Sequence, residues 1–317
     1  MTSGGNAIHV LRPGLLTTVQ DLGRWGYQGR GVPVAGPMDT FSHRLANLLV
    51  GNPASAATLE ITLIGPELEF ERPCIIAIAG ADFEITCDGR PVITGASMWL
   101  PTGARLQFGR RRLGARAYLA VRGGVQTPLL LGSRATHLVS HMGGVEGRSL
   151  VAKDILPIDT TDAPVAARRA PGLTLPEGGR ARLRVLPGPQ AEWFSAEAHR
   201  VFSGTSFRIS PRSNRMGYRL EGPELPRERH GEPISEPTPF GAIQVPVAGE
   251  PILLMADRQT SGGYAKIASV IAADLPLAGQ LAPGDFIEFD VCPRQQAAAA
   301  LIARERPLLR LADVGIR

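Results

Sequence analysis

Short apolar runs separated by turn residues follow one another from Thr58 to Phe108, and this spacing restricts the fold more than any other feature. The runs include ATLEIT, CIIAIAG, FEIT, SMWL and ARLQFG. One strand and its turn together take about ten residues. Glycine and proline, at 37 and 27 residues, are spread evenly between such runs along the chain. Regular short strands with frequent turns are typical of a barrel or sandwich. We therefore predict a mainly β protein.

The length of 317 residues suits two domains, each with its own core. Residues 159–179 (DTTDAPVAARRAPGLTLPEGG) have no apolar period and are rich in proline, alanine and glycine, which is typical of a domain boundary. We predict a first β-barrel domain over 1–160, a linker over about 161–179 and a second β-barrel domain over 180–317. The second domain ends in an alanine-rich helix, predicted over Gln295 to Arg304.

Composition excludes several classes of protein. The net charge is +5, but the basic residues are scattered, with one run, Arg110 to Arg112, at an expected hairpin end, and only 5% of residues are aromatic. A nucleic-acid surface is therefore not indicated. The three cysteines form no C-x-x-C pair, and no stretch is long and apolar enough to span a membrane. Without a signal sequence at the N-terminus, we expect a cytoplasmic protein.

The segment from Leu16 to Met38 contains four glycines within nine residues and shows neither a helix nor a strand period. It fits neither nucleotide-binding glycine motif, so we expect a long irregular loop that is either functional or a structural Ω-loop. Asp21 and Arg24 are among its polar side chains. Asp39 or Thr40 is predicted to cap the helix that follows.

Three further features of the first half concern single polar side chains or a pair of histidines. Arg122 precedes Gly123-Gly124 at the end of a predicted strand, where it could face an anion. Glu60 is expected to point outward by strand alternation. His137 and His141 lie four residues apart but on no evident helix and with no acidic partner between them, so we predict no metal site.

The strongest functional signal is the segment that follows the apolar run from Pro251 to Ala256. That run predicts a buried strand. The residues after it read DRQTSGGYAK, which is more polar chemistry than a turn requires. Polar groups on a loop at the end of a strand are typical of a binding or catalytic site. The candidate residues are Asp257, Arg258, Gln259, Thr260, Tyr264 and Lys266.

Lys266 stands out because only two of the 34 basic residues are lysines, and the other is Lys153. In a chain that otherwise uses arginine, a lysine indicates that a compact ammonium is needed rather than a planar fork. Such a group can neutralise a carboxylate or phosphate, or donate a proton if burial lowers its pKa. The alternative is a surface lysine without a role.

Six runs of the sequence together resemble the allophanate hydrolase subunit 2 family. They are GLLTTVQDLGRWGYQGRGVPVAGPMD, LANLLVGN, LEITLIGP, RGGVQTPLLLGSRAT, GAIQVP and DRQTSGGYAKIASVIAADLPLAGQLAPGD. The resemblance extends from about Val10 to Phe289. The family includes the C subunit of the ATP-dependent 5-oxoprolinase and an antagonist of a sporulation kinase inhibitor. It is also similar to half of the carboxyltransferase domain of urea carboxylase.

The resemblance implies two tandem cyclophilin-like β-barrels and two partners. These are a B-subunit-like protein of the kinase-inhibitor (KipI) type and the A subunit. It also implies ATP as cosubstrate, at a site that a partner protein could share, and a small-molecule amide as substrate. No lysine stands beside a methionine, so we expect no biotin on this chain.

These chemistries require fixed donors and cations near an amide whose oxygen or nitrogen becomes charged. By role, Lys266 and Arg258 would neutralise anionic oxygens, and Asp257 would orient one of them or accept a proton. The amide would be hydrogen-bonded by Gln259, Thr260 and Tyr264. The pocket would be closed from the first barrel by Asp21, Arg24 and Asp39.

Two other functions stay open at this point. A regulator that binds a B-subunit-like kinase inhibitor would have the same fold, but it would not need the polar segment that ends at Lys266. A carboxyltransferase component acting on urea or a related amide would need that segment. An allophanate hydrolase is not indicated, because nothing resembles an amidase Ser-Ser-Lys arrangement.

Overall fold

The computed structural model describes residues 6–159, 167–229 and 231–313. The chain forms two compact units, the first made of Met1–Arg24, Ala35–Leu175 and Arg306–Arg317 and the second of Trp25–Val34 and Pro176–Glu305. Residues 161–166 of the predicted linker lie outside the described residues. Within the described ranges, no helix is both long and apolar enough to cross a membrane.

The first unit consists mostly of antiparallel strands, and one helix packs against a face of their sheet. The strands are β1 (Ala7–Arg12), β2 (Leu16–Gln20), β3 (Thr58–Thr62), β4 (Glu67–Phe70), β5 (Cys74–Cys87), β6 (Arg90–Pro91), β7 (Ser97–Leu100), β8 (Arg105–Val121) and β9 (Ile155–Pro157), and the helix is α1 (Thr40–Leu49). Six strands follow the order β2-β3-β8-β4-β1-β9, and β5 branches from β8 to pair also with β6 and β7. The result is a nine-stranded half-barrel.

The sheet is buried on both faces at residues 76–79 of β5 and 115–121 of β8. On β5, Ile76 and Ile78 pack into the main core between the strands, whereas Ala77 and Ala79 face helix α1. Successive side chains of a strand point to opposite faces, and the small alanines allow the helix to lie close to the sheet. Helix α1 begins as predicted at Asp39, whose carboxylate accepts a hydrogen bond from the backbone N–H of Ser42 at 2.8 Å.

Two predictions for this unit are wrong. The segment that begins at Leu16 is not irregular throughout, because Leu16–Gln20 forms β2 and pairs along its length with β3. The Arg110–Arg112 run is not a hairpin end but lies inside β8, a strand of 17 residues. The arginines are exposed there, and Arg112 pairs with Glu84 across the strands at 3.2 Å. Asp88-Gly89, a dipeptide that favours hairpin turns, does form one, since both residues have positive φ (48° and 77°) between paired strands.

Glu60 is buried rather than outward, which corrects a third prediction. Its carboxylate accepts hydrogen bonds from the Tyr118 hydroxyl at 2.7 Å and from the Met38 backbone N–H at 2.9 Å. Burial is the main reason why the pKa of Tyr118 lies well above its usual range, and the Glu60 charge adds to it. The strand alternation that places Glu60 away from the main core directs it toward helix α1, where these partners compensate the buried carboxylate.

His43 makes the first unit sensitive to acid. Its ring is buried in α1 with Nδ1 2.9 Å from Thr58 Oγ1, and this burial lowers its pKa from 6.5 to about 4. The unfolded chain takes up a proton near pH 6.5, but the folded chain resists it until about pH 4. The stability is therefore complete above that window, and as the pH falls through it the free energy of unfolding falls by about 3 kcal/mol.

Urea titrations of the wild type and of His43→Gln across this window test the expectation. The wild type should lose more stability than the variant, because the glutamine does not titrate. Parallel pH profiles for the two proteins would contradict the assignment.

The second unit contains a closed barrel. Its strands are β10 (Arg180–Pro187), β11 (Phe207–Ile209), β12 (Gly217–Glu221), β13 (Glu236–Pro237), β14 (Ala242–Val245), β15 (Ile252–Leu254), β16 (Ser261–Gly262), β17 (Ala265–Val270) and β18 (Phe286–Val291). Its helices are α2 (Ala196–Gly204), α3 (Leu275–Gly279) and α4 (Arg294–Asp313), the last crossing into residues that belong to the first unit. The barrel order is β10-β17-β14-β15-β12-β11-β18, closed by the parallel pair of β18 and β10. The mainly β prediction is confirmed, with the closed barrel in the second unit.

Candidate functional site

The predicted polar segment lies over the outside of the barrel. It leaves β15, forms β16, which pairs with β13, and returns as β17. The backbone of Thr238 donates to the Thr260 carbonyl at 3.1 Å, and its hydroxyl donates to the Gln259 carbonyl. The backbone carbonyls of Gln259 and Thr260 therefore hydrogen-bond the segment to Thr238, which follows β13.

Lys266 is buried within strand β17 and not on the loop. Its side chain is 3% exposed, and Nζ lies 2.7 Å from Glu236 Oε1. Gln190 bridges the pair, because its amide donates to Glu236 Oε1 at 2.8 Å and its oxygen accepts from the Lys266 backbone N–H at 3.0 Å. The hydrogen bond from Lys266, with a smaller contribution from Gln190, lowers the pKa of Glu236. The ammonium is thus held out of bulk water by a specific carboxylate.

Asp257 and Arg215 form a buried bidentate pair. Arg215 Nε donates to Asp257 Oδ2 at 2.9 Å and Nη2 donates to Oδ1 at 3.0 Å. The Asp257 backbone N–H also donates to the Arg215 carbonyl at 2.8 Å. This geometry fixes the start of the polar segment to the residues that precede β12.

Arg258 is held by contacts of its own. Its Nε donates to the Thr238 carbonyl at 2.7 Å, and its guanidinium lies over the Phe240 ring at 5.5 Å from the centroid. Burial lowers the pKa of Arg258 to about 10. The charge of the neighbouring Asp257 offsets only part of this lowering, and the predicted role of Arg258 toward an anionic oxygen stays a prediction.

A cavity of about 240 Å³ opens beside this segment, and Gln259 and Tyr264 line it. Gln259 Nε2 donates to Gln244 Oε1 at 3.2 Å. The other lining side chains include two arginines and an asparagine, namely Arg212, Arg219 and Asn214. Of the six predicted residues in the segment, two line this cavity, Gln259 and Tyr264, and four do not, namely Asp257, Arg258, Thr260 and Lys266.

In the first unit, Asp21 and Arg24 organise a loop. Asp21 accepts hydrogen bonds from the Ser133 hydroxyl at 2.6 Å, and from the Arg134 backbone N–H at 2.5 Å. Arg24 is 1% exposed and donates to the Ala135 carbonyl. Both side chains thus bind the 133–135 backbone of their own unit, and their predicted role toward a substrate stays a prediction.

Asp39 and Arg122 also have local positions in the first unit. Asp39 is fully buried as the cap of helix α1 and also accepts from the Ser42 hydroxyl at 2.6 Å. Arg122 is half-buried just after β8. The backbone of the following Gly123 lies close to that of Asp159, since a Cβ at position 123 would lie 1.3 Å from the Asp159 carbonyl oxygen. That Arg122 faces an anion stays a prediction.

Sequence reasoning missed the partners of the predicted residues. They are Glu236 and Gln190 at Lys266, Arg215 at Asp257, and Gln244 and Arg219 at the cavity. One signal was available for Arg215, since Arg215-Met216-Gly217-Tyr218 resembles Arg24-Trp25-Gly26-Tyr27 and both arginines are buried. The other partners come from separate strands and carry no local mark.

Comparisons with known proteins give a consistent result. Residues 30–291 match the family described as carboxyltransferase domain, subdomain A and B. The chain is 40% identical to the 5-oxoprolinase C subunit of Escherichia coli over 305 residues, which cover 96% of this chain and 97% of the relative. It is 36% identical to the protein of the same name from Haemophilus influenzae, over 89% of this chain and 90% of the relative.

A solved structure is also similar. The crystal structure of the K. lactis urea amidolyase matches 98% of this chain with a TM-score of 0.92 and 32% identity. The matched region is 20% of that protein's chain. The likeness there concerns one part of a much longer protein.

Proposed function

Because the chain belongs to the carboxyltransferase domain family, subdomain A and B, we propose that it is the C subunit of an ATP-dependent 5-oxoprolinase. Together with the A and B subunits it would convert 5-oxoproline to glutamate at the expense of ATP. The observation that carries the proposal is the 40% identity to a 5-oxoprolinase C subunit over 96% of this chain and 97% of that relative. The two proteins correspond along their whole lengths, whereas the urea amidolyase contains the same unit as one part among others.

The chemistry of the second unit supports an enzyme component. Opening a lactam requires that the amide be held while charge develops on it, and preorganised donors in a site shielded from water stabilise that charge. Lys266 is buried and Arg258 is partly buried, and amide groups line the neighbouring cavity. We assign to Lys266 the neutralisation of an anionic oxygen and to Glu236 the positioning of its ammonium. ATP would bind at a site that a partner protein can share.

Co-expression with the partners, the A and B subunits, tests this function. We expect a complex whose ATP hydrolysis depends on added 5-oxoproline and yields glutamate. Urea and allophanate serve as the comparison substrates. ATP hydrolysis that depends on urea instead would favour the carboxyltransferase alternative, and a complex with the B subunit that shows no substrate-dependent hydrolysis would favour a regulator.

A further inference from the structure

The cavity lies on the outer face of three neighbouring barrel strands. Arg219 of β12 is paired with Ile252 of β15, which in turn is paired with Gln244 of β14. These three residues line the cavity, whereas the residues that precede them on β12 and β14, Tyr218 and Ile243, are buried in the barrel. The strand alternation therefore directs one apolar and two polar side chains into the same space.

Gln244 carries an unused donor at the base of this cavity. The residue is 1% exposed, and its Oε1 accepts from Gln259. Its Nε2 is buried and has no hydrogen-bond partner among the residues that the structure describes. Buried polar groups in proteins are almost always paired. This N–H is therefore available to donate a hydrogen bond to an acceptor oxygen of a ligand.

Gly262 keeps the space beside this donor open. A Cβ at position 262 would lie 2.9 Å from Gln244 Nε2 and 3.2 Å from Gln259 Nε2. Any side chain at this position would therefore press against both amides. The glycine therefore allows the two amides to keep these positions.

The charge of the cavity is positive. The side chains of Arg212 and Arg219, both exposed to solvent, line it, and no aspartate or glutamate does. Arg212 has only a distant, exposed partner, Glu250 at 4.0 Å. Within the described residues, Arg219 has no carboxylate within ion-pair distance. A guanidinium without a counter-charge in a concave site is suited to bind a carboxylate.

We propose that this cavity binds a small amide that carries a carboxylate, with Gln244 Nε2 donating to the amide carbonyl and Arg219 binding the carboxylate. The assignment rests on the proposed function, since 5-oxoproline is such a compound. It makes Arg219 a specificity-determining residue. A neutral amide such as urea has no carboxylate for the guanidinium, so we expect the cavity to bind it less tightly.

The test compares two ligands that differ by one group. Isothermal titration calorimetry of the full complex would measure 5-oxoproline against 2-pyrrolidinone, the same lactam without the carboxylate. We expect the wild type to bind 5-oxoproline about tenfold or more tightly, as a hydrogen-bonded charge would provide, and Arg219→Gln to remove that preference. Gly262→Ala should weaken both ligands, because the methyl group occupies the space beside the amides. Arg208→Gln, which alters an exposed arginine of the same barrel that pairs with Glu221, should leave the preference unchanged.

The outcomes separate this assignment from the proposed function. If the complex hydrolyses ATP with 5-oxoproline but Arg219→Gln keeps the wild-type preference, the cavity assignment is overturned and the function stands. If no 5-oxoproline-dependent hydrolysis occurs and yet the preference depends on Arg219, the function fails and the cavity assignment stands. If neither ligand binds the wild-type complex, the cavity assignment is overturned.

Discussion

Replacing Lys266 by methionine is expected to reduce the turnover of the reconstituted complex about 10²–10³-fold, the usual loss when one preorganised charge-stabilising group is removed. Methionine keeps the unbranched shape of the side chain but removes the ammonium that lies 2.7 Å from Glu236. The Glu236 side chain is 36% exposed and can be hydrated once its partner is gone, so the fold should survive. The measurement is kcat for 5-oxoproline-dependent ATP hydrolysis, with size-exclusion chromatography to show that the partners remain bound.

Glu236→Gln is the matched control. It keeps the size of the side chain and an acceptor for the Lys266 ammonium, so we expect a clearly smaller loss of kcat than in Lys266→Met. Lys266→Arg should stay impaired, because a planar fork does not fit a position built for a compact ammonium. Full activity of Lys266→Met would remove this residue from the mechanism, and equal losses in the Lys266 and Glu236 variants would assign the pair a purely structural role.

Features of this fold that depend on neighbouring residues could be predicted from the sequence. The Asp39 cap, the Asp88-Gly89 hairpin and the strand at 252–254 each follow from a few adjacent residues. One of the two wrong strand assignments shows the limit of such local evidence. The Arg110–Arg112 run looked like a turn because it is charged, but an exposed strand position accepts arginine when the neighbouring strand continues beside it.

Features that depend on distant partners could not be predicted in this way. Glu60 meets Tyr118 across 58 residues, and Lys266 meets Glu236 across 30. A single sequence contains no record of such pairs, and strand alternation gives only the face of a residue. The polar composition of the candidate segment is visible in the sequence, whereas its division into a buried ion-pair region and a cavity became visible only in the structure.

The second large effect concerns stability: Arg215→Met is expected to lower the free energy of unfolding of the barrel by about 3–5 kcal/mol, because breaking a buried pair leaves an uncompensated charge. The side chains of Arg215 and Asp257 are only 5% and 2% exposed, so water cannot replace the lost guanidinium. Hydrogen exchange of backbone amides in β12 and β17 reports the opening of the barrel itself. Arg208→Met is the matched control, since its pair with Glu221 joins side chains that are 52% and 43% exposed, and its loss should stay below about 1 kcal/mol.

The double variant Arg215→Met, Asp257→Leu distinguishes the pair from its surroundings. The double variant contains neither of the two buried charges, so no unpaired carboxylate is left in the barrel. It should therefore be more stable than Arg215→Met alone. The same pair should matter for binding, because Asn214 and Met216, on either side of Arg215, line the cavity. We therefore expect weaker 5-oxoproline binding in Arg215→Met at temperatures where the barrel is still folded. An Arg215→Met barrel as stable as the Arg208→Met control would show that the bidentate contact does not hold the polar segment in place.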